Sequence, residues 1–492
     1  MVVAVAVVLV LLRSAVFVFW EQAAFDSDQA IVGLMAKHLA EGRAFPLFYY
    51  GQNYLLGVEA WLAAPLFLLA GASVAALKLP LVVINLAVAL LLIHLLERHA
   101  SLRPLHAGVA ALFFVLAPPG TASQLLTALG VSVEPFLYVL LIWMFRARPV
   151  WLGVVLGFGS LHREFTAYGF LALLMTEAGG RSLFTRKRAA QLAVSAAVVV
   201  VVWLAVGFAR PYSSAAGPGT SPADVVGASN GLAGLAARVC GDAGLMLSGV
   251  YGSFTSYPGL LLGLTPTILS DFWVNSTLTQ GLPGTWPVLA IACLCAVARC
   301  VWLWVRRTRQ PAPGSLSFSL YLLLTGAVTL AGYGVGRCGD LHVLTMRYAL
   351  LGVLGPIGLV ALVLQVEPRR WVRTISVGVV AAWAVVSAAG HVQLANEYLT
   401  RTPPNYRRVL ADYLIAHRMR YARADYWTAY HVAFLANERV IVATQGVPRI
   451  ASYQQRVNLH ERDAVQISRT PCADGRGAEA VPRVYWVCEP PR

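Results

Sequence analysis

Apolar runs close to twenty residues long, separated by short arginine-bearing gaps, recur through the first 391 positions of this chain. A helix needs about 20 such residues to cross a hydrocarbon core of about 30 Å, so the pattern predicts an α-helical polytopic membrane protein. Composition agrees, with 58% hydrophobic and 12% charged residues against about 25% charged in soluble domains. Cytosolic enzymes, disordered chains and disulfide mini-proteins are excluded. The net charge of +15 does not by itself signal nucleic acid, because the basic residues punctuate the apolar runs.

Arg98/Arg103, Arg146/Arg148, Arg181/Arg186/Lys187/Arg188, Arg306/Arg307/Arg309 and Arg369/Arg370/Arg373 fall in the gaps, which the positive-inside rule assigns to the cytoplasm. About eleven crossings follow, at roughly 20 residues each: 2–20, 73–95, 105–118, 131–145, 149–161, 166–180, 189–209, 286–305, 315–334, 347–366 and 374–391. The N-terminus is then cytoplasmic and the C-terminus outside. The first run has the length of a signal peptide, but Arg13 interrupts it and no small-residue cleavage site precedes Glu21, so it reads as a retained anchor. Polar residues at 161–165 suggest that the fifth and sixth crossings are broken or re-entrant.

Domain organisation follows from the crossings: a membrane domain over 1–391 and an extracytoplasmic α/β domain over 392–492. Three outer loops, about 21–71, 210–285 and 335–346, share the tail's side of the membrane. Transporters more often carry short loops on both faces and internal repeats, and no repeat is evident. In the tail, Tyr406–Arg420 reads as a helix, and Arg439–Thr444 and Arg483–Val487 read as strands. Cys293, Cys295 and Cys300 read as packing residues, whereas Cys472 with Cys488, and Cys240 with Cys338, are placed to form disulfides outside.

The first outer loop carries the chemistry. Phe25-Asp26-Ser27-Asp28-Gln29 leads into Ala30–Leu39, whose apolar residues recur at helical spacing, so Asp28 sits near the start of an interfacial helix. An aspartate there is often only a cap, but two carboxylates beside the membrane surface also suit a general base or a metal-facing pair. The continuation, "FPLFYYGQNYLLGVEAWLAAPLF", is aromatic and amide-rich, and presents Tyr50, Gln52, Tyr54 and Glu59. Such groups suit sugar recognition, and equally an interfacial aromatic belt.

One span, an acidic motif, a helix and then this aromatic loop resemble the GT-C class of integral-membrane glycosyltransferases, which includes the protein O-mannosyltransferases and the lipid A aminoarabinose transferases. Asp28-Gln29 stands where that class carries Asp-Glu, so the second acid is missing, with Asp26 as the nearby substitute. The resemblance covers residues 1 to about 100 and implies an inverting transfer on the outer face, from a polyprenyl-phosphate-linked sugar to an acceptor hydroxyl on a glycan, lipid or protein. Asp28 is then the base and Asp26 its support. The class often carries an Arg-Tyr pair like Arg347-Tyr348, which makes Arg347, with Arg337 and His342 nearby, a candidate for the donor phosphate.

His162, Arg163 and Glu164 form a second polar group, read either as a structural ion pair or as substrate ligands, with Arg163 a further phosphate candidate. Arg13 either pairs with an acid or contacts the donor phosphate. Arg423–Tyr430 reads as domain core or as the wall of an acceptor site. No cofactor is required; a divalent metal is left open, on Asp26 and Asp28. The bilayer is a partner and nucleic acid is not, and the expected location is a bacterial cytoplasmic membrane with the tail periplasmic or extracellular. Two other functions are compatible with the pattern: a flippase for a polyprenyl-linked saccharide and a non-catalytic subunit of envelope-glycan assembly.

Overall fold

The computed structural model describes residues 1–52, 54–221, 223, 225, 240–264, 267–268, 279–280, 298–299, 317–336, 343–473 and 475–490. Its membrane part is helical: α1 (Val2–Phe19), α2 (Ser27–Ala40), α3 (Val58–Ala70), α4 (Val74–His99), α5 (Pro104–Val115), α6 (Pro119–Gln124), α7 (Glu134–Phe145), α8 (Pro149–His162), α9 (Thr166–Gly179), α10 (Arg186–Ala209), α11 (Ala243–Leu261), α12 (Ser317–Gly336), α13 (Leu354–Val366) and α14 (Arg370–Thr400). Prolines in the first turn start α5, α7 and α8, where the missing N–H costs nothing.

Among the described residues, six helical stretches are long and apolar enough to cross a membrane: Val2–Phe19, Val74–His99, Arg186–Tyr212, Ser317–Gly336, Thr345–Val366 and Arg370–Thr400. Helices also occupy the positions expected for the third to sixth crossings, but α5 and α7 have 12 residues and α8 and α9 have 14. Residues 163–165 separate α8 from α9. The expected crossing at 286–305, and with it Cys293, Cys295 and Cys300, lies outside the described residues save for 298–299. The 210–285 stretch, read as a loop, contains the 19-residue helix α11, which packs on α12 so closely that a Cβ on Gly249 would stand 3.0 Å from the Gly334 carbonyl oxygen.

Arg13 is a buried charge inside α1, and among the described residues both of its terminal nitrogens find neutral partners rather than an acid, while its Nε has none. Its guanidinium donates to the Phe114 carbonyl at 2.6 Å and to the amide oxygen of Asn85. A buried cation needs such partners, and here they tie α1 to α4 and α5.

Helix α14 runs unbroken through position 391 into the tail. There α15 (Tyr406–Ala416), α16 (Tyr426–Leu435) and α17 (Ala451–Leu459) accompany β1 (Tyr421–Ala424), β2 (Ile441–Thr444), β3 (Val465–Ser468), β4 (Gly477–Val481) and β5 (Tyr485–Cys488). The sheet order is β2-β1-β3-β5-β4, with β1 parallel to β2 and β3, and β5 antiparallel to β3 and β4. Parallel neighbours need a crossover, supplied by α16 between β1 and β2. The small α/β tail and its strands are thus as the sequence predicts. Cys472 and Cys488 form the expected disulfide. Cys240 is also disulfide-bonded, while Cys338 lies outside the described residues.

This domain sits on α2. A Cβ on Gly33 would come within 2.5 Å of the Phe434 ring, so α2 and α16 approach as closely as they do only because residue 33 has no side chain. Phe25 packs edge-on to His431 at 4.8 Å and against Phe434 at 5.6 Å. Beside this contact Arg408 grips the Glu21 carboxylate with two bonds of 2.7 and 2.6 Å.

Candidate active site

The site starts from the turn between α1 and α2. Ala24 has a positive φ of 50°, a costly conformation for a residue with a Cβ, and it is held there from both sides. Buried Lys78 of α4 donates to the carbonyls of Phe17, Ala23 and Ala24, each at 3.0 Å, and the Gln29 amide donates to Ala24 at 3.0 Å. The turn delivers Asp26 as the N-cap of α2, its carboxylate accepting from the Gln29 backbone N–H at 3.0 Å. Asp28 falls in the first helical turn, where the dipole favours negative charge.

The two carboxylates live in different surroundings. Asp26 is buried and its Oδ2 has no hydrogen-bond partner; burial, then the nearby charge of Asp28, push its carboxyl up to about 6. Asp28 faces a set of polar groups from distant parts of the chain. Tyr426 donates to its Oδ1 at 2.7 Å, Tyr49 approaches the same oxygen at 3.4 Å, and Arg347 Nη1 lies 3.6 Å from Oδ2. Burial and the Asp28 charge hold the Tyr426 hydroxyl far above its ordinary value, so it remains a donor at neutral pH.

Asp26 gives a stability prediction with a definite sign. Its folded-state pKa lies above the unfolded value of about 3.9, so folding favours the protonated acid. That preference is fully present below the unfolded value and turns into a penalty as pH rises through about 6. Asn caps a helix as well as Asp. Asp26→Asn is therefore expected to raise stability above pH 7 by about 1–3 kcal/mol and to leave it unchanged near pH 4. Thermal unfolding of both proteins across that range measures it.

A second guanidinium near Asp28 belongs to a residue that the sequence does not single out. Arg449, in the β2–α17 connection, stands 5.8 Å from the centre of the Tyr49 ring and donates to the Gly51 carbonyl at 3.3 Å. With its amide oxygen turned towards this arginine, Gln52 accepts from Nη1 and Nη2 at 3.2 and 3.3 Å. The Arg449 N–H itself donates to Tyr430 Oη at 2.6 Å. No local motif marks Arg449; only the aromatic 426–430 segment beside it hinted at the site.

The other sequence candidates are distributed as follows. Tyr348 adjoins Arg347, accepting from its Nη2 at 3.2 Å. Tyr50 is buried away from Asp28 and bonds His38 Nδ1 at 3.0 Å. Glu59 and His162 form their own buried network: His162 Nε2 meets Glu59 Oε1 at 3.1 Å and its Nδ1 meets the Tyr138 hydroxyl at 3.1 Å. Arg163 and Glu164 face each other at 4.0 Å, and Tyr54 is half-buried. Arg337 and His342 lie outside the described residues. Among the described residues no three His, Cys, Asp or Glu side chains gather in a way that could hold a metal ion, so a metal at Asp26 and Asp28 would have only that pair.

What this arrangement can do is specific. Asp28 is an acceptor-only group whose orientation is fixed by phenols, with a guanidinium on one side and another beyond the Tyr49 ring. A carboxylate so placed can take a proton from a hydroxyl, while fixed cations can receive an anionic leaving group.

No family model matches the chain, and no curated protein does. Solved structures do match. ArnT from Cupriavidus metallidurans in the apo state superposes with a TM-score of 0.54 at 13% identity, over 95% of this chain and 91% of that one. ArnT from the same organism bound to undecaprenyl phosphate superposes with a TM-score of 0.57 at 14% identity, over 99% and 96%. At such identities the likeness concerns architecture: from its first helix to its periphery of α/β tail, this membrane chain has the ArnT fold, in agreement with the resemblance of its first hundred residues to the GT-C class.

Proposed function

We propose that the protein is a polyprenyl-phosphate-dependent glycosyltransferase that passes a sugar to an acceptor hydroxyl with inversion, on the outer face of the cytoplasmic membrane. The observation that carries the reading is the Asp28 carboxylate held by Tyr426 at 2.7 Å with the Arg347 guanidinium 3.6 Å away. That a protein of this fold binds undecaprenyl phosphate supports a polyprenyl donor. In the reaction the acceptor oxygen attacks the anomeric carbon as its proton passes to Asp28. The bond from that carbon to the phosphate oxygen breaks, and its electron pair leaves with the lipid phosphate, whose growing charge Arg347 stabilises. Arg449 and Gln52 pair beside the Tyr49 ring, and Tyr426 and Tyr49 keep Asp28 aimed at the acceptor.

The test is transfer from a panel of radiolabelled polyprenyl-phosphate sugars to native membrane acceptors by the purified full chain. One donor should be consumed, and Arg347→Gln should lower kcat/KM for it by about tenfold to a hundredfold, the weight of a charge-assisted bond at a developing anion. Donor that is bound and released unchanged, with lipid-linked sugar appearing on the other leaflet of a vesicle, would instead identify a flippase.

A further inference from the structure

A second polar concavity lies at the other end of the bundle from Asp28. Helix α4 has 26 residues, about 39 Å at 1.5 Å per residue; Lys78 at its start supports the Asp28 turn, and Ala100 at its end borders a cavity of about 680 Å³. Arg103 and His106 enter from the start of α5, and Arg370 and Arg373 from the first turn of α14, while Leu364 and Val377 give the cavity an apolar side.

Three features set this place apart from ordinary loop arginines. Among the described residues, no carboxylate pairs with Arg103, Arg370 or Arg373, although the neighbouring Arg299 and Arg188 are both paired, with Glu367 and Glu177. Two helices of 12 and 31 residues begin at the rim, so their unpaired N–H groups and dipoles add to the positive field. Finally, Trp371 beside Arg370 is 61% exposed, as an aromatic anchor at a membrane–water boundary is. The positive-inside rule explains basic residues in a gap between spans; it does not require them to converge on a cavity with an apolar wall.

We propose that this cavity holds the phosphate of an anionic phospholipid, with Arg103, Arg370 and Arg373 around the headgroup and the first acyl carbons against Leu364 and Val377. Basic pockets between transmembrane helices suit such headgroups. The site is independent of the transfer reaction, whose residues lie at the opposite end of α4.

Native mass spectrometry of the full chain, released from nanodiscs of phosphatidylcholine with or without phosphatidylglycerol, tests it. The wild type should retain phosphatidylglycerol over phosphatidylcholine, and a protein carrying Arg103→Gln, Arg370→Gln and Arg373→Gln should lose that preference by about a hundredfold, at roughly fivefold per arginine. Arg373→Gln alone, expected to lose about fivefold, serves if the triple variant does not insert. Equal retention by wild type and variants overturns the proposal. So does inorganic phosphate that raises the unfolding midpoint in phosphatidylcholine alone and displaces the bound lipid, since the site would then take a soluble anion.

Discussion

Asp28→Asn should abolish sugar transfer while leaving a folded protein. Positioned general bases contribute about 10²–10⁴ in rate, so kcat is expected to fall at least a hundredfold at saturating donor. Asparagine keeps an oxygen that can accept from Tyr426, so the side chain stays in place, but it cannot take the acceptor proton and it no longer faces Arg347 with a charge. The unfolding midpoint should stay close to that of the wild type, which separates lost chemistry from lost structure. Asp26→Asn is the matched comparison: its carboxylate is buried, caps α2 and is pushed towards the protonated form, so its rate should change far less. A wild-type rate in Asp28→Asn, or an equal loss in both variants, would remove Asp28 from the role of base.

The largest expected loss of stability comes from Glu438, far from any motif. Its carboxylate takes bonds from Lys37 at 2.6 Å, from His38 at 2.9 Å and from Tyr453 at 2.8 Å, and Arg43 also pairs with it. Glu438→Ala leaves a lysine, a histidine and a tyrosine partly or wholly buried without their shared acceptor, which costs about 3–5 kcal/mol. Because the cluster joins α2 to the tail, activity should fall with it. The pH dependence has a clear direction. Burial pushes the Glu438 carboxyl up, but the bonds from His38, Arg43 and Lys37 hold it well below the carboxylate range; its contribution is present above about pH 4.3 and is lost as pH falls towards the folded-state value. His38 is lowered mainly by burial, so it too favours the fold most above about pH 6.5. In the Asp26→Asn background, which removes the opposing gain of Asp26 over the same range, stability should fall on acidification first through His38 and then through Glu438, and adding Glu438→Ala should remove the second step. An unfolding midpoint unchanged by Glu438→Ala would mean that the tail is held by its apolar contacts alone.

How much of this was legible in the sequence follows from how far each interaction reaches. Hydropathy runs, first-turn prolines and the amphipathic spacing of α2 are local properties, and α1, α2, α4 and the strands of the tail lie where those properties put them. Asp28 and Arg347 were visible because a resemblance pointed to them. Arg449 was not, because its importance rests on meeting Tyr49 and Gln52 across about four hundred residues of chain, and nothing in its own neighbourhood encodes that. Lys78 was hidden for the opposite reason: a lysine within an apolar helix reads as an interruption until its three carbonyl partners are seen. Tyr50 was grouped with the site because it shares its aromatic loop, Glu59 because it lies on the stretch that follows, and His162 because it is ionisable within an apolar run, yet the loop turns between Tyr49 and Tyr50, sending one phenol to Asp28 and the other to His38.

Asp28 and Tyr426 are 398 positions apart, and this distance has a consequence in time. A ribosome makes Asp28 398 residues before Tyr426, and the helices around it can insert long before Tyr426 and Arg449 exist. Throughout synthesis the nascent chain thus holds its carboxylate without the phenol that aims it, and the site is assembled only when the tail folds back onto α2. On the proposed function, a chain that stalls or is truncated before residue 426 leaves in the membrane a scaffold without the phenol that aims Asp28, and such a copy should show no transfer.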